Sequence, residues 1–330
     1  MSAGQASIQV EAAQPRAIRL RLPATTANLG PGFDALGLAF GFALTIEARV
    51  LQAAGDQAAG DHDLPIAGRE LSIAATGRDA ARCARTRNNM IFETYRDLLS
   101  RAGSTVLPLD LRIHNEIPLG MGCGSSAAAL LGAVMLANHF GELGWSQGEC
   151  IDEATRREGH PDNVTACALG SVTASVVDAG RVSSAVFGVG LGWRLLVALP
   201  ATSLATEKAR ALLPAEYSRI DSVANVQRTS LLVAAFALGR GDLLRVAMQD
   251  RMHQPYRMEV CPLLCLLLPL AGEPGVLGVA LSGAGPGVLV VVDEKANAAE
   301  VATRMRRATA DPTLEIIETH IGTGASVELL

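Results

Sequence analysis

Residues 118–138 read PLGMGCGSSAAALLGAVMLAN, with Gly120, Gly122 and Gly124 at alternate positions, then Ser125 and Ser126, then alanine and leucine. Glycine lets the backbone take positive φ and lets a ligand approach with no Cβ in the way. Serine is a good N-cap type, and the alanine-rich run is a strong helix former. The first N–H groups of such a helix carry roughly half a unit of positive charge. Loop and helix start together can therefore cradle an anion, and phosphate is the usual occupant. A tight turn whose glycines serve shape alone is the simpler alternative. A lysine-bearing phosphate loop, GxxxxGK followed by Ser or Thr, is excluded because the stretch has no lysine. Gly122, Gly124 and Ala127 match GxGxxG/A, but residues 128–140 continue the helix where a second strand and an acid are needed. A GxSxG elbow fails because three alanines follow Ser126.

The anion would have to be held by such local devices. The chain's formal charge of −5 gives no general attraction for nucleic acid or an anionic membrane. Six cysteines (Cys83, Cys123, Cys150, Cys167, Cys261, Cys265) form no CxxC pair and show no metal-ligand spacing. Most lie in apolar or alanine-rich stretches, so they read as buried free thiols, which suits a reducing, cytoplasmic setting. The first residues, MSAGQASIQVEAAQPR, lack the basic start and apolar core of a signal peptide. The most apolar run, CPLLCLLLPL (261–270), is too short for a bilayer and carries Pro262 and Pro269. It reads as core or as a contact surface between subunits.

The elements that must position the loop follow from periodicity. Residues 1–16 read as a flexible tail. AIRLRLPA alternates as a strand, 35–50 as one or two strands, and AAGDQAAGDHDLPIAG (53–68) as a surface loop or hairpin tip. Residues 89–101 have helical spacing, and VLPLDLRIHNEIP alternates as a strand. The glycine loop and its helix come next, then a helix over 146–158 that GHPDN breaks. VTACALGSVTASVVD (164–178) reads as strand. Beyond a boundary near 180–190, WRLLVALP is a buried strand, and helical segments fall near 204–213, 223–238 and 241–253. GVLGVALS and GVLVVVD flank a glycine turn, and a helix (295–308) and the strand LEIIETHI follow. With 330 residues and 49% hydrophobic content, the chain is expected to form two domains, 17–185 and 186–330, of the α+β class.

PLGMGCGSSAA resembles the phosphate-binding loop of the GHMP kinases. PATTANLGPGFD (23–34) resembles their N-terminal motif and LSGAGPG (281–287) their C-terminal glycine loop, in the same order. TANLGPGFD, EGHPDNV, TEKAR (206–210) and DRMHQPYR (250–257) are similar in particular to the homoserine kinase branch. The resemblance implies a two-domain fold, with an N-terminal domain like domain 2 of ribosomal protein S5 and a ferredoxin-like C-terminal domain. It also implies ATP-dependent phosphorylation of the side-chain hydroxyl of L-homoserine, on the way to threonine, by a cytoplasmic homodimer.

The same resemblance assigns the site. Pro118, Leu119, Gly120, Met121, Gly122, Cys123, Gly124, Ser125, Ser126, Ala127 and Ala128 would cradle the triphosphate, and Ser126 and Glu158 would hold Mg²⁺. An exposed carboxylate at a helix end is the lesser alternative for Glu158. Asn89 matches a position near adenine, although it also suits an N-cap. Arg210 and Arg257 would fork onto the substrate carboxylate, since guanidinium geometry matches it two-pronged. Asp34, with Asn28 beside it, would meet the ammonium, or else make an Asx-turn. His160, Asp162, Asn163 and Thr206 would surround the reacting hydroxyl, with Asp162 and Asn163 closest to the chemistry. Met121 and Cys123 depart from the Ser and Leu common in relatives. The lysine that mevalonate kinases carry near the N-terminal motif is missing, which argues against that activity.

Overall fold

The computed structural model describes residues 17–51, 70–204 and 206–330, with Thr206 described by its backbone alone. The expected tail (1–16) and the expected surface loop (53–68) lie outside the described residues. Two sheets organise the chain. The first is built from β1 (Ala17–Asn28), β2 (Gly32–Val50), β3 (Leu71–Gly77), β4 (Leu109–Asn115), β5 (Val172–Asp178), β6 (Arg181–Phe187) and β11 (Ser326–Leu329). Its order is β11-β1-β2-β4-β3, and β5 pairs with β2 and carries β6. Only β3 and β4 run parallel. The second sheet, β10 (Glu315–His320), β7 (Arg194–Leu199), β9 (Val288–Val292) and β8 (Val276–Leu281), is antiparallel throughout.

On the first sheet lie α1 (Ala80–Cys83), α2 (Met90–Ala102), α3 (Ser125–Phe140), α4 (Gln147–Glu158) and α5 (Asp162–Leu169), with α3 packed against β1, β2, α2, α4 and α5. The alanines on α3 permit that crowding. Ala127, Ala128, Ala133 and Ala137 are fully buried, so the helix meets its neighbours on nearly every side. The second sheet is covered on both faces. Leu195, Val197 and Leu199 of β7 join the main core, while Leu196 and Ala198 join a separate core. The first core receives α7 (Arg219–Ala237) and α8 (Leu244–Ala247), and the second receives α10 (Pro262–Leu267) and α11 (Ala298–Ala308). A strand buried on both faces reads as a continuous apolar run, which explains VLVVV.

The apolar run 261–270 serves this second core through Cys261, Leu263, Leu264, Leu267 and Leu270, and it leaves Leu266 and Cys265 exposed. Burial raises the thiol pKa of Cys123 to about 12 and that of Cys150 to about 11, so neither is a ready nucleophile.

Two segments depart from the periodicity reading. Residues 164–169, expected as the start of a strand, belong to α5, in which Asp162 through Ala168 are all buried. A helix buried all round has no polar face, and over eight residues its period cannot be told from that of a strand. The expected helix 241–253 breaks after a 3₁₀ turn and α8. There the Asp250 carboxylate accepts the N–H groups of Met252, His253 and Gln254 (2.8, 2.9 and 2.6 Å), drawing the backbone off the helical path. Two short helices flank this stretch, α6 (Thr206–Arg210) before α7 and α9 (Gln254–Arg257) after it.

Candidate active site

Three glycine-bearing stretches meet at one point. The Thr25 N–H donates to the Cys123 carbonyl (3.1 Å), and the Asn28 amide donates to the Gly283 carbonyl (3.0 Å). Ser282 Oγ lies 2.8 Å from the Gly122 carbonyl oxygen. The contact at Gly122 demands glycine twice over: its φ is +76°, and a Cβ there would lie 2.0 Å from the Ser282 carbonyl oxygen. The loop thus runs directly into α3. The N-cap of α3 is Gly124, with Ser125 and Ser126 as its first helical residues, and no side chain caps it. The expectation that the serines act as caps is corrected by this geometry. Their hydroxyls stay outside the cap, and the leading N–H groups of α3 are left for a ligand.

Ser126 Oγ donates to the Glu158 carboxylate at 2.8 Å. Glu158 ends α4, and burial, eased by the Ser126 bond, leaves its pKa raised above the ordinary value. Among the described residues no arginine or lysine pairs with it. Two hard oxygen donors side by side, one a desolvated carboxylate in no direct pair with an arginine or lysine, fit the needs of Mg²⁺.

Beyond α4, Gly159 turns the chain into α5. Asp162 and Asn163 are buried at the head of that helix, where the sequence reading had them in an open loop. Asp162 Oδ1 accepts from His160 Nδ1 and from the Asn163 N–H, both at 2.6 Å. Thr25 Oγ1 donates to Asn163 Oδ1 (2.7 Å), tying α5 to β1. Burial works against a charged His160 imidazole, but the bond and charge of Asp162, with Glu158 nearby, leave its pKa raised. Ligand atoms of Asp34, His160 and Asp162 lie within 4.8 Å of one another, so two carboxylates stand close enough to offer an ammonium its acceptors.

The opposite wall is cationic. Arg210 ends α6, and Arg257 ends α9. Both guanidinium groups stand over the Phe33 ring, at 5.5 and 5.7 Å from its centroid. Arg210 pairs with both oxygens of Asp34, at 3.0 and 2.6 Å. Arg257 is fully buried, where desolvation, and after it the charge of Arg210, lower its pKa. Its Nη1 lies 3.1 Å from His253 Nδ1, while His253 Nε2 lies 2.7 Å from the Gly30 carbonyl. A carbonyl only accepts, so Nε2 carries the proton, and the neutral Nδ1 accepts from Arg257.

Burial, and next to it Arg257, hold the His253 pKa down against the pull of Asp250 and Asp34. A depressed pKa means that the stability from neutral His253 is complete above about pH 6.5 and is lost as pH falls through the folded value. Replacing His253 with glutamine is expected to cost about 1–3 kcal/mol and to remove this acid-side loss. Thermal unfolding of both proteins between pH 5 and 8 checks it, and an unchanged pH slope would contradict the assignment.

One cleft thus gathers Asn28, Asp34, Glu158, His160, Asp162, Asn163, Arg210, Arg257 and the loop residues Gly120–Ser126 other than Met121. A second cavity, of about 300 Å³, opens on the far side of Gly120, Ser125 and Ser126, and Leu119, Asn89 and Met90 help to line it. Asn89 is the N-cap of α2, accepting from the Ile91 and Phe92 N–H groups and donating to the Cys83 and Arg85 carbonyls, while it forms part of that wall. Pro118, Met121, Ala127 and Ala128 line neither space. The Thr206 side chain lies outside the described residues. Phe33, His253 and Ser282 were not singled out from sequence, although each lies inside a quoted motif. Phe33 precedes Asp34, and His253 opens HQPYR.

Family models for the GHMP kinases N terminal domain and the GHMP kinases C terminal match residues 89–171 and 232–311. A homoserine kinase from Solibacter usitatus (strain Ellin6076) is 47% identical over 272 residues, 82% of this chain and 84% of that one. One from Moorella thermoacetica (strain ATCC 39073 / JCM 9320) is 38% identical over 272 residues, 82% and 86% of the two chains. The crystal structure of a homoserine kinase from Cytophaga hutchinsonii ATCC 33406 shares the fold, with a TM-score of 0.77 at 21% identity over 99% of this chain and 100% of that one. By sequence over most of its length, and by fold over nearly all of it, the chain belongs to the homoserine kinase family of the GHMP kinases.

Proposed function

We propose that the chain transfers the γ-phosphoryl group of ATP to the side-chain hydroxyl of L-homoserine, giving O-phospho-L-homoserine for threonine biosynthesis. The observation that carries this reading is the meeting, across Gly120–Ser126, of an anion cradle and a cleft with opposed acidic and cationic walls. The triphosphate lies along the loop and the start of α3, with its adenosine end in the cavity by Asn89. Ser126 and Glu158 would hold Mg²⁺, which when bound neutralises charge on the phosphates. Asp34 receives the ammonium, Arg210 and Arg257 receive the carboxylate, and Asp162 with Asn163 directs the hydroxyl at the phosphorus.

Phosphoryl transfer needs mostly alignment and charge stabilisation, and a buried helix start is a rigid place from which to align. The unit 17–185 contributes the loop and Asp162, and 186–330 contributes the arginines. No described helix is long and apolar enough to cross a membrane. A cytoplasmic homodimer completes the reading.

Coupled ADP release with L-homoserine, L-serine, shikimate and mevalonate tests it. Release with L-homoserine alone is expected, and release with none of the four would remove the kinase reading.

A further inference from the structure

Asp34 and Arg210 are the two groups given above to the substrate's opposite charges, yet they bind each other through two hydrogen bonds of 3.0 and 2.6 Å. Their side chains are only 34% and 37% exposed. The pairing is fixed from beneath. Asp34 takes a left-handed φ of +55°, and its N–H donates to Asn28 Oδ1 at 3.0 Å. Arg210 rests over Phe33. Arg257 is the second cation of this wall, and it is tied to Ala209, His253 and Gly283 and to no acid among the described residues.

The pair sets a condition on any ligand. A lone carboxylate gains the second arginine, beside Arg257, only by turning Arg210 away and so stranding the Asp34 carboxylate. A lone ammonium must claim Asp34 and so strands Arg210. A molecule bearing both charges on one carbon replaces each half of the pair in one event and leaves nothing uncompensated. Resting on the homoserine kinase reading above, we infer that the Asp34–Arg210 pair is a built-in stand-in for the substrate zwitterion and selects for it. It rejects 4-hydroxybutanoate and 3-aminopropan-1-ol, which present a primary hydroxyl with only one of the two charges. Asp34 is therefore more than an ammonium acceptor, because through this pair it withholds Arg210 from simple carboxylates.

The consequence is a gain of binding on mutation. D34N suits the backbone, since asparagine is enriched at left-handed φ, and it releases Arg210. The full chain is titrated calorimetrically, without nucleotide, with L-homoserine, 4-hydroxybutanoate and 3-aminopropan-1-ol. D34N is expected to weaken L-homoserine by about tenfold or more and to tighten 4-hydroxybutanoate by about three- to fivefold, the scale of a partly exposed ion pair. R210Q is expected to show the reverse preference, with 3-aminopropan-1-ol gaining and L-homoserine losing. A damaged fold does not produce a gain. Parallel weakening of all three ligands, or no change for the singly charged ones, would overturn the proposal. Absence of ADP release with L-homoserine would sink the kinase reading while these titrations still report on the pair, so the two failures are separable.

Discussion

Asp162→Asn is expected to lower kcat by about 10²-fold, the scale of a modest misplacement of reacting groups, with a much smaller change in the KM for L-homoserine. The amide retains an oxygen where Oδ1 accepts from His160 and from the Asn163 N–H. The head of α5 therefore keeps its shape, and what is lost is the charge and the stronger grip on the hydroxyl. Alignment of reactants can be worth roughly 7–11 kcal/mol, whereas a general base contributes about 10²–10⁴-fold. Asp162→Asn separates the two. Turnover abolished with L-homoserine binding intact would make Asp162 the base that takes the hydroxyl proton. His160 supplies a second readout. Its raised pKa means that the stability from its pairing is complete below about pH 6.5 and fades as pH rises through the folded value. In Asp162→Asn that alkaline fading should shrink, as pH-dependent unfolding would register.

Gly122→Ala is expected to cost about 2–4 kcal/mol, from a left-handed φ and an overpacked contact, and to lower kcat/KM for ATP by more than about 10²-fold. The added methyl would sit 2.0 Å from the Ser282 carbonyl and 3.1 Å from that of Gly285, which are both backbone atoms with no rotamer to yield. Either the phosphate loop or the 281–287 loop must move, and each holds the other. Gly144→Ala is the control. Its φ is +69°, but nothing lies within 4 Å of the added methyl. It should pay about 1 kcal/mol of backbone cost and leave ATP kinetics alone. Unfolding midpoints and initial rates on the two variants decide the matter, and equal effects would refute a special role for the Gly122 contact.

Much of this arrangement was legible in the residues. The second sheet follows from apolar runs such as VLVVV, and α2, α3 and α4 follow from helical spacing. What escaped were elements whose signal lies outside their own period. α5 looked like strand because burial on all sides erased its polar face. The short strand β11, SVEL, alternates over only four residues, all of them exposed, which is too little to mark a strand, and it is defined by pairing with β1. At the site, the motifs named most of the residues that meet. They could not show that Asp34 and Arg210 bind each other, because that depends on two segments 176 positions apart. Nor could they show that His253 is neutral, which follows from the Gly30 carbonyl facing it.

The pairing of β1 with β11 bears on how the chain is made. Ile18 faces Leu329 and Arg21 faces Ser326, so the first described strand is flanked by the last. During synthesis β1 can zip to β2 early, but one side of it stays unpaired until some 300 further residues have left the ribosome. An open strand edge is a template for pairing with other chains, and contacts so distant in sequence form slowly. The nascent lobe is therefore exposed to mispairing throughout translation of the arginine-bearing half.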